Sequence, residues 1–420
     1  MAFQDIRKTR DRLSPEEIRL LVFIVIGVLA LLALNIFLAR ILPGGEWLYL
    51  RWNGARAFLF ERAEPYSTAI AERVQQLVYG RVAFSSEYGY VLNDPFYIVL
   101  LYTPLALFPE FSIARGIWML FAEAALVGSV VFAVKLSEWE PPRWLYISIA
   151  IFALLGFYSL QSLISASPSI FLLFLALSIL LALRSFNDDL AGALLFLVAY
   201  QWEVSALFFL FIIAAVIVNK RWRVFVGFGM SLLVALAISF LANSGWGLPY
   251  IRAVLSDWYD GANINLNSYL SFWFFNTKLP LASTIALALG VIVFIEWIGA
   301  FRSNFRRIVW TASLSLAVTP LLGFAVFPST YAVLILPFVL VLALIWERWR
   351  RRRVLISVLV LGIALVIPYI FYGTQMSAPQ RLYSDLMTLL PPIIAIIALY
   401  WMRWQVLRAS RPWLEQVGAR

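Results

Sequence analysis

The chain has 420 residues, of which 63 % are hydrophobic and 13 % charged, and its mean hydropathy is +0.86. A soluble domain carries about 25 % charged residues, so this composition excludes a water-soluble globule. The net charge of +10 comes from short basic segments beside apolar runs, which indicates contact with lipid headgroups and not with nucleic acid. Cysteine and histidine are absent, which excludes disulfides, thiol catalysis and imidazole chemistry.

Apolar runs long enough to cross a bilayer as helices occur along the whole chain. The sequence therefore predicts an all-α, polytopic transmembrane protein, a single integral membrane domain over 1–420 with about twelve spans. The first run is predicted to be a retained helix, because no small-residue cleavage site follows it. The predicted spans are 20–42, 94–108, 114–135, 144–162, 168–184, 190–218, 224–242, 281–301, 307–326, 329–346, 354–373 and 385–403. Among these, 94–108 is short, and 190–218 is long enough to be tilted, broken or two half-helices.

Basic loops predict the orientation of the chain. With the N-terminus in the cytoplasm, alternation of the spans places four Arg/Lys-rich segments on the cytoplasmic side, as the positive-inside rule requires: 219–223, 302–307, 347–353 and the tail 404–420. Both termini are then cytoplasmic, and two long segments, 43–93 and 243–280, are extracytoplasmic loops. The basic run 348–353 is interpreted as an orientation signal that can also contact anionic lipid.

The first outer loop, 43–93, contains the stretch "GGEWLYLRWNGARAFLFERAEPYS" at 44–67. Apolar residues recur there at near-helical spacing beside Arg51, Arg56 and Arg62. This pattern predicts an amphipathic helix that lies in the membrane interface.

The second outer loop, 243–280, is rich in tryptophan, tyrosine, asparagine and aspartate. Aromatic faces stack on sugars and amides hydrogen-bond to hydroxyls, so Trp258, Asn265 and Asn267 are predicted substrate-binding residues. The alternative is that these aromatic residues belong to the ordinary interfacial belt of a membrane protein.

Short motifs in and after the first outer loop carry a family resemblance. "EPYS" (64–67) is followed by "NDPFYIVLLYTPLALFP" from 93 and by "ARGIWMLFAEAAL" from 114. This order resembles glycosyltransferase family 87, polyprenol-phosphate-dependent mannosyltransferases of the glycosyltransferase C superfamily. The resemblance implies transfer of a hexose, mannose in the bacterial relatives, from a polyprenyl-phosphate donor to a lipid or glycan acceptor outside a bacterial-type plasma membrane. It also makes Tyr66, in the first of these motifs, a predicted substrate contact.

The resemblance further implies a catalytic carboxylate in the first outer loop, which deprotonates the acceptor hydroxyl. Glu46 occupies that position here, where the family has aspartate, and Glu46 can act as the base or can instead pair with Arg51. Asp94 is the second predicted catalytic residue, and the alternative is a helix cap before Pro95. No metal ligand set and no cofactor beyond the lipid-linked donor are predicted.

Other positions depart from the family pattern. Ala166-Ser167 stand where the family has Gly-Gln, and Trp202-Glu203 stand where it has Lys-Pro, although Thr319-Pro320 is kept. The donor phosphate would then need another cation, for which Arg51, Arg56 and Lys278 are predicted. These departures leave a catalytically inactive relative, acting in envelope assembly, as one alternative.

Three carboxylates, Glu123, Glu203 and Glu296, are predicted within spans. A charge at the centre of a bilayer costs about 2.5–3.5 kcal/mol on insertion scales, so such residues are functional candidates. Glu203 is predicted to bind substrate. The alternatives are protonation, a partner on a neighbouring helix, or a position nearer the boundary. Buried acids also leave open a second class of function, a transporter or flippase for a lipid-linked substrate, although the sequence has no internal repeat relating its two halves and no paired Gly/Pro-broken spans.

Overall fold

A computed structural model describes residues 15–84, 87–260, 266–274, 281–324, 327–377 and 381–406. The described residues are helical or form turns and loops, without a strand, so the all-α prediction is confirmed. The helices of the first half are α1 (Pro15–Ile41), α2 (Glu46–Arg56), α3 (Thr68–Tyr79), α4 (Phe96–Leu101), α5 (Thr103–Ala106), α6 (Phe111–Leu136), α7 (Arg143–Leu155), α8 (Phe157–Ile164), α9 (Ser169–Arg184) and α10 (Asp188–Val198). Those of the second half are α11 (Trp202–Val218), α12 (Arg223–Ala242), α13 (Gly247–Asp260), α14 (Leu266–Trp273), α15 (Leu281–Ala300), α16 (Phe305–Val318), α17 (Ile335–Arg348), α18 (Arg353–Ser377) and α19 (Arg381–Val406).

Three shorter elements interrupt this series. A π-helical turn, Ala57–Glu61, continues α2, and 3₁₀ turns at Thr319–Leu322 and Pro328–Leu334 lie between α16 and α17. Within the described residues, seven helical segments are long and apolar enough to span a membrane: α1, α6, α12, α15, Pro328–Arg348, α18 and most of α19. The bent pair α7–α8, which turns by 46° at Gly156, can supply an eighth, and α9 and α11 are shorter apolar helices. The chain is an integral membrane protein of the polytopic helical class.

One end of the helix bundle gathers basic residues and is named here the basic end. Arg184, at the end of α9, donates to Glu138 at 2.8 Å, and Arg306 lies 3.5 Å from the same carboxylate. Asn219, after α11, donates to the carbonyl of Phe301 at 2.8 Å. These contacts bring the loops after α6, α9, α11 and α15 to one end of the molecule.

The opposite end is named the loop end. Arg115, near the start of α6, is buried and donates to the carbonyls of Leu42 at 2.8 Å and Ile164 at 2.6 Å. It therefore ties together the last turn of α1, the end of α8 and the beginning of α6, and it satisfies carbonyls that helix ends leave unpaired. Ser162 of α8 also donates to the carbonyl of Ser329 at this end.

The predicted span 190–218 is a helical hairpin. Asp188, at the start of α10, pairs with Arg221, which follows α11, so both helices have one terminus at the basic end. Their connection, 199–201, must then lie towards the loop end. The hairpin packs closely on α12 through α10. A Cβ added to Gly192 of α10 would lie 2.0 Å from the carbonyl oxygen of Val224 in α12.

The predicted span 94–108 differs in the structure. It forms two short helices, α4 and α5, of six and four residues, which together are too short to cross a bilayer. The chain enters them from the loop that contacts α2 and leaves them for α6, which starts at the loop end. Apolar composition predicted a span here, but these residues bury their side chains against α2, α12 and Trp246 instead.

Two of the three predicted intramembrane carboxylates, Glu123 and Glu296, have partners on neighbouring helices. Glu123 of α6 accepts a hydrogen bond from Asn35 of α1 at 3.0 Å. Glu296, four residues before the end of α15, lies 2.7 Å from Arg403 and 3.6 Å from Arg307 near the basic end. Glu296 is thus close to the helix boundary and paired, which corresponds to the structural alternative predicted for it.

Candidate functional site

A cavity lies at the loop end, between α2, the α10–α11 connection and the 3₁₀ turn that begins at Pro328. Its walls carry two carboxylates, one guanidinium, two amides and several rings and hydroxyls. The lining residues are Trp47, Arg51, Tyr88, Asn93, Asp94, Ser167, Tyr200, Gln201, Glu203, Phe327 and Thr330. Segments more than 200 residues apart in sequence therefore converge on a single polar site.

Arg51 and Asp94 form a buried ion pair in the wall of this cavity. The Nε–Oδ2 distance is 2.7 Å, and Nη2 donates to Oδ1 at 3.0 Å. Both side chains are at most 4 % exposed. Nη1 of Arg51 also donates to the carbonyl of Trp47 at 2.8 Å, one turn earlier in α2. The sequence predicted that Arg51 lies at headgroup level; the fold turns it inward, and the pair instead fixes α2 to the start of α4.

Glu203 lies at the first turn of α11, where the hairpin connection ends. Nδ2 of Asn93 donates to Asp257 at 2.8 Å and also lies 3.5 Å from Glu203. Tyr88 donates to the other carboxylate oxygen of Asp257 at 2.9 Å. The amide of Asn93 thus connects a cavity carboxylate to a carboxylate on α13. Predicted residue Glu203 is therefore in the same cavity as predicted residue Asp94.

Gln201 is a buried amide of the hairpin connection that lines the cavity. Its side chain is 7 % exposed, and its Oε1 atom has no hydrogen-bond partner in the described structure. A buried amide oxygen without a partner costs about 1–3 kcal/mol. This oxygen is therefore an unsatisfied acceptor on a residue of the cavity wall.

Three aromatic rings form one side of the cavity. The centroid of Trp47 lies 5.1 Å from that of Phe327 and 5.9 Å from that of Tyr88, and Tyr88 lies 5.2 Å from Phe327. The two contacts of Phe327 are edge-on and that of Trp47 with Tyr88 is tilted, and aromatic pairs of this kind stabilise the rings beyond simple burial. They give the site one aromatic wall in addition to its polar residues.

Glu46 begins α2 and lies next to the cavity residue Trp47, but it is not in the cavity lining itself. The preceding residue, Gly45, has φ 85°, and a Cβ there would lie 2.9 Å from Cδ of Arg115. Glycine is therefore required to place Glu46 beside Arg115. Burial raises the pKa of the half-buried Glu46 carboxyl to about 7, while its own backbone amide and the charge of Arg115 act in the opposite direction.

The remaining predicted site residues have different environments. Arg56 donates to the carbonyl of Ala106 at 2.9 Å and lies over the ring of Trp52, so it caps α5. The hydroxyl of Tyr66 donates to the backbone carbonyl of Asp94 at 3.0 Å and supports the cavity from behind. Trp258 is 74 % exposed on α13, and Asn267 is exposed at the start of α14. The predicted residues Asn265 and Lys278 lie outside the described residues.

Sequence reasoning missed several cavity residues, namely Trp47, Tyr88, Asn93, Tyr200, Gln201 and Phe327, together with Asp257 behind them. Gln201 was noticeable only as a neighbour of Glu203. Among the described residues, no group of three or more carboxylates is arranged to hold a metal ion. The site combines carboxylates, amides and aromatic rings, groups that hydrogen-bond to hydroxyls and pack on apolar ring faces.

Comparison with known proteins adds no assignment: no family model, no curated protein and no solved structure matches this chain.

Proposed function

We propose that this protein is an integral-membrane glycosyltransferase, which transfers a hexose, with mannose as the expected sugar, from a polyprenyl-phosphate donor to an extracytoplasmic lipid or glycan acceptor. In this proposal the fold is of the glycosyltransferase C type with about twelve membrane passes. The termini and the basic end face the cytoplasm of a bacterial-type plasma membrane, and the loop end faces outside.

The observation that carries the proposal is the composition of the loop-end cavity. Asp94, Glu203 and Gln201, whose amide oxygen has no hydrogen-bond partner, line one cavity together with Trp47. Carboxylates and amides bind sugar hydroxyls, and an indole face packs on a pyranose ring. A polar site of this kind at the end of a membrane bundle is where a sugar attached to a lipid headgroup would be held.

Local backbone geometry supports the family resemblance at the positions that depart from its motifs. Ala166 has φ 53°, a left-handed conformation that glycine favours, and it stands where the family has glycine. Glu203 is the second residue of α11 and stands where the family has proline, a residue that suits the first turn of a helix. The backbone therefore suits the residues that the family has at both positions, although the side chains differ.

Three residues have distinct proposed roles in the transfer. Glu46 is the proposed general base, because a pKa near 7 lets a carboxylate accept a proton efficiently at neutral pH. Asp94 is engaged through both oxygens by Arg51 and is proposed to hold that cation in place. Arg51 has N–H groups beyond those used for Asp94 and Trp47, and these are the proposed donors to the phosphate.

Orientation is supported by the basic end. Lys135 and Arg184 lie in the last turns of α6 and α9, and Arg221 and Arg302 lie in the loops after α11 and α15, so all four belong to the basic end. An excess of Lys and Arg marks cytoplasmic loops.

The test is transfer by the purified protein, reconstituted in liposomes, from a radiolabelled polyprenyl-phosphate hexose to acceptors in a membrane lipid extract. Glu46→Gln is expected to reduce the rate by about 10²-fold or more, the usual contribution of a general base. Glu64→Gln, a change of an exposed carboxylate in the same loop, is the matched control and should transfer at the wild-type rate. Transfer that Glu46→Gln leaves unchanged would contradict the role of Glu46.

A transporter of a lipid-linked substrate is the second candidate, favoured by the broken helices. The α10–α11 hairpin places Glu203 at a helix start inside the bundle, and α7–α8 is bent at Gly156. Discontinuous helices are common at transporter binding sites. Substrate movement across proteoliposomes without transfer would support this candidate. An absence of both activities would instead favour the inactive relative.

A further inference from the structure

The helix α13 carries an apolar stripe that the bundle does not cover. Its members recur at intervals of three and four residues and are all more than half exposed: Leu248 59 %, Ile251 53 %, Leu255 56 % and Trp258 74 %. This spacing aligns them on one face of the helix. Arg252, also exposed, flanks the stripe.

The opposite face of α13 is fixed to the site. Near the start of the helix, buried Trp246 stacks on Phe96 of α4 with a centroid distance of 6.3 Å. Near its end, Asp257 accepts hydrogen bonds from Tyr88 at 2.9 Å and from Asn93 at 2.8 Å. Asn93 and Tyr88 line the cavity, so Asp257 joins α13 directly to two cavity residues.

The position of α13 indicates what covers its stripe. The helix begins five residues after the last residue of α12, a helix of membrane length whose last turn exposes Phe240 and Leu241. The stripe therefore follows directly on the exposed apolar end of a helix that is long enough to span a membrane. A basic residue at the margin and a tryptophan at the far end are typical of a helix at the headgroup level.

We propose that α13 lies in the bilayer interface at the loop end, with Leu248, Ile251, Leu255 and Trp258 inserted among the lipids, and that Asp257 transmits its position to the cavity wall. The occupant of the stripe is the lipid leaflet itself. This inference does not depend on which reaction the cavity performs, because it rests on the helix, its stripe and its two attachments.

Because the chain has no cysteine, a single introduced cysteine is the only site that a thiol-reactive label can modify. Leu255→Cys and Arg252→Cys, each in the full chain, are labelled with a nitroxide and reconstituted in phospholipid nanodiscs. Oxygen partitions into lipid and a nickel chelate stays in water, so the ratio of their relaxation effects reports depth. The ratio is expected to be several-fold higher at 255 than at 252. Equal ratios at the two positions would overturn the proposal.

A second copy of the chain is the competing occupant, and the same samples identify it. Spin–spin broadening at 255 that disappears on dilution with unlabelled protein would show a dimer contact and overturn the lipid assignment. If Leu255→Cys does not fold, Ile251→Cys and Leu248→Cys test the same face.

The attachment to the cavity is tested by adding Asp257→Ala to the labelled Leu255→Cys protein. Loss of the two hydrogen bonds is expected to increase the mobility of the label, whereas Glu64→Ala, an exposed change elsewhere, should not. Unchanged mobility and depth in the Asp257→Ala protein would show that Asp257 does not hold the helix.

Discussion

The guanidinium of Arg51 and the carboxylate of Asp94 meet at 2.7 Å in an ion pair that is almost fully buried. The pair joins the middle of α2 to the residue before Pro95 and α4, two segments that are 43 residues apart. Removal of one partner would leave the other charge buried and unpaired, which typically destabilises a protein by about 3–5 kcal/mol.

Arg51→Ala and Asp94→Asn are therefore each expected to lower the melting temperature of the purified protein in detergent clearly. The control pair is Arg40–Glu110, which has the same chemistry and a contact of 3.1 Å but is exposed on both sides. Solvent screens an exposed pair, so Arg40→Ala should leave the melting temperature within error. Equal effects at the two pairs would show that Arg51 and Asp94 are not buried together.

A pH dependence of stability is expected from Glu46. Its pKa rises from an ordinary value of 4.5 to about 7 in the folded protein, mainly through burial. The folded state thus holds this proton more tightly than the unfolded state does. The stability that this group provides is fully present below about pH 4.5 and is lost as the pH rises through about 7.

The measurement compares the wild type with Glu46→Gln, whose side chain stays neutral. The melting temperature of the wild type should fall relative to that of Glu46→Gln between about pH 4.5 and pH 7 and stay parallel above that range. A difference that is constant over the whole range would contradict the burial of Glu46. If the proposed reaction is detected, its rate should instead rise with pH through about 7, because a general base must be deprotonated.

Much of the helical architecture could be predicted from hydropathy. A long apolar run such as that of α1 or α18 must form a helix in a membrane, because only a helix satisfies its backbone hydrogen bonds within the segment. The segment 94–108 could not, since a short apolar run buried in protein has the same composition as a short span. Hydropathy does not locate the break before Glu203 either, because the mean hydropathy stays high across it. In addition, neither glycine nor proline marks the end of α10.

The candidate site was predictable only in part for a related reason. A carboxylate within an apolar run is noticeable, so Glu203 was singled out from the sequence, whereas Glu46 and Asp94 were singled out through the family resemblance. Asp94 and Glu203 line the cavity, and Glu46 lies beside it. Contacts such as that of Asn93 with Asp257 join residues 164 positions apart, and a single sequence carries no signal for them. Arg51 shows the same limit, because helical periodicity places it on a face but does not say which face the fold buries.

Close packing of α10 on α12 gives a test of the hairpin. A Cβ added to Gly227 of α12 would lie 2.1 Å from the carbonyl oxygen of Asp189, a backbone atom that cannot move aside alone. Gly227→Ala is expected to destabilise the protein by about 1–3 kcal/mol, as overpacking usually does. Gly229→Ala, two residues later in the same helix, meets nothing within 4 Å and gains helix propensity, so it should be neutral or stabilising. Thermal unfolding in detergent distinguishes the two variants, and a destabilisation that is equal in both would contradict the close approach of α10.

The structure departs from the predicted spans at 94–108, which is too short to cross a bilayer, and at 190–218, which is a hairpin. The first departure reverses the predicted side of the segments that follow it, the second restores the predicted side after 218, and one experiment tests both. Strict alternation of the predicted spans would place residues 185–189 on the side opposite to 302–307. In the structure, α4–α5 starts and ends at the loop end. The contacts of Asp188 with Arg221 and of Asn219 with Phe301 bring the segments 185–189 and 302–307 to the basic end.

Ser185→Cys and Arg302→Cys should therefore react with a membrane-impermeant maleimide from the same side of sealed vesicles. Thr68→Cys, in the exposed first turn of α3 at the loop end, is the opposite-side control, and the chain contributes no background because it has no cysteine. Labelling of positions 185 and 302 from opposite sides would show that 94–108 crosses the membrane after all.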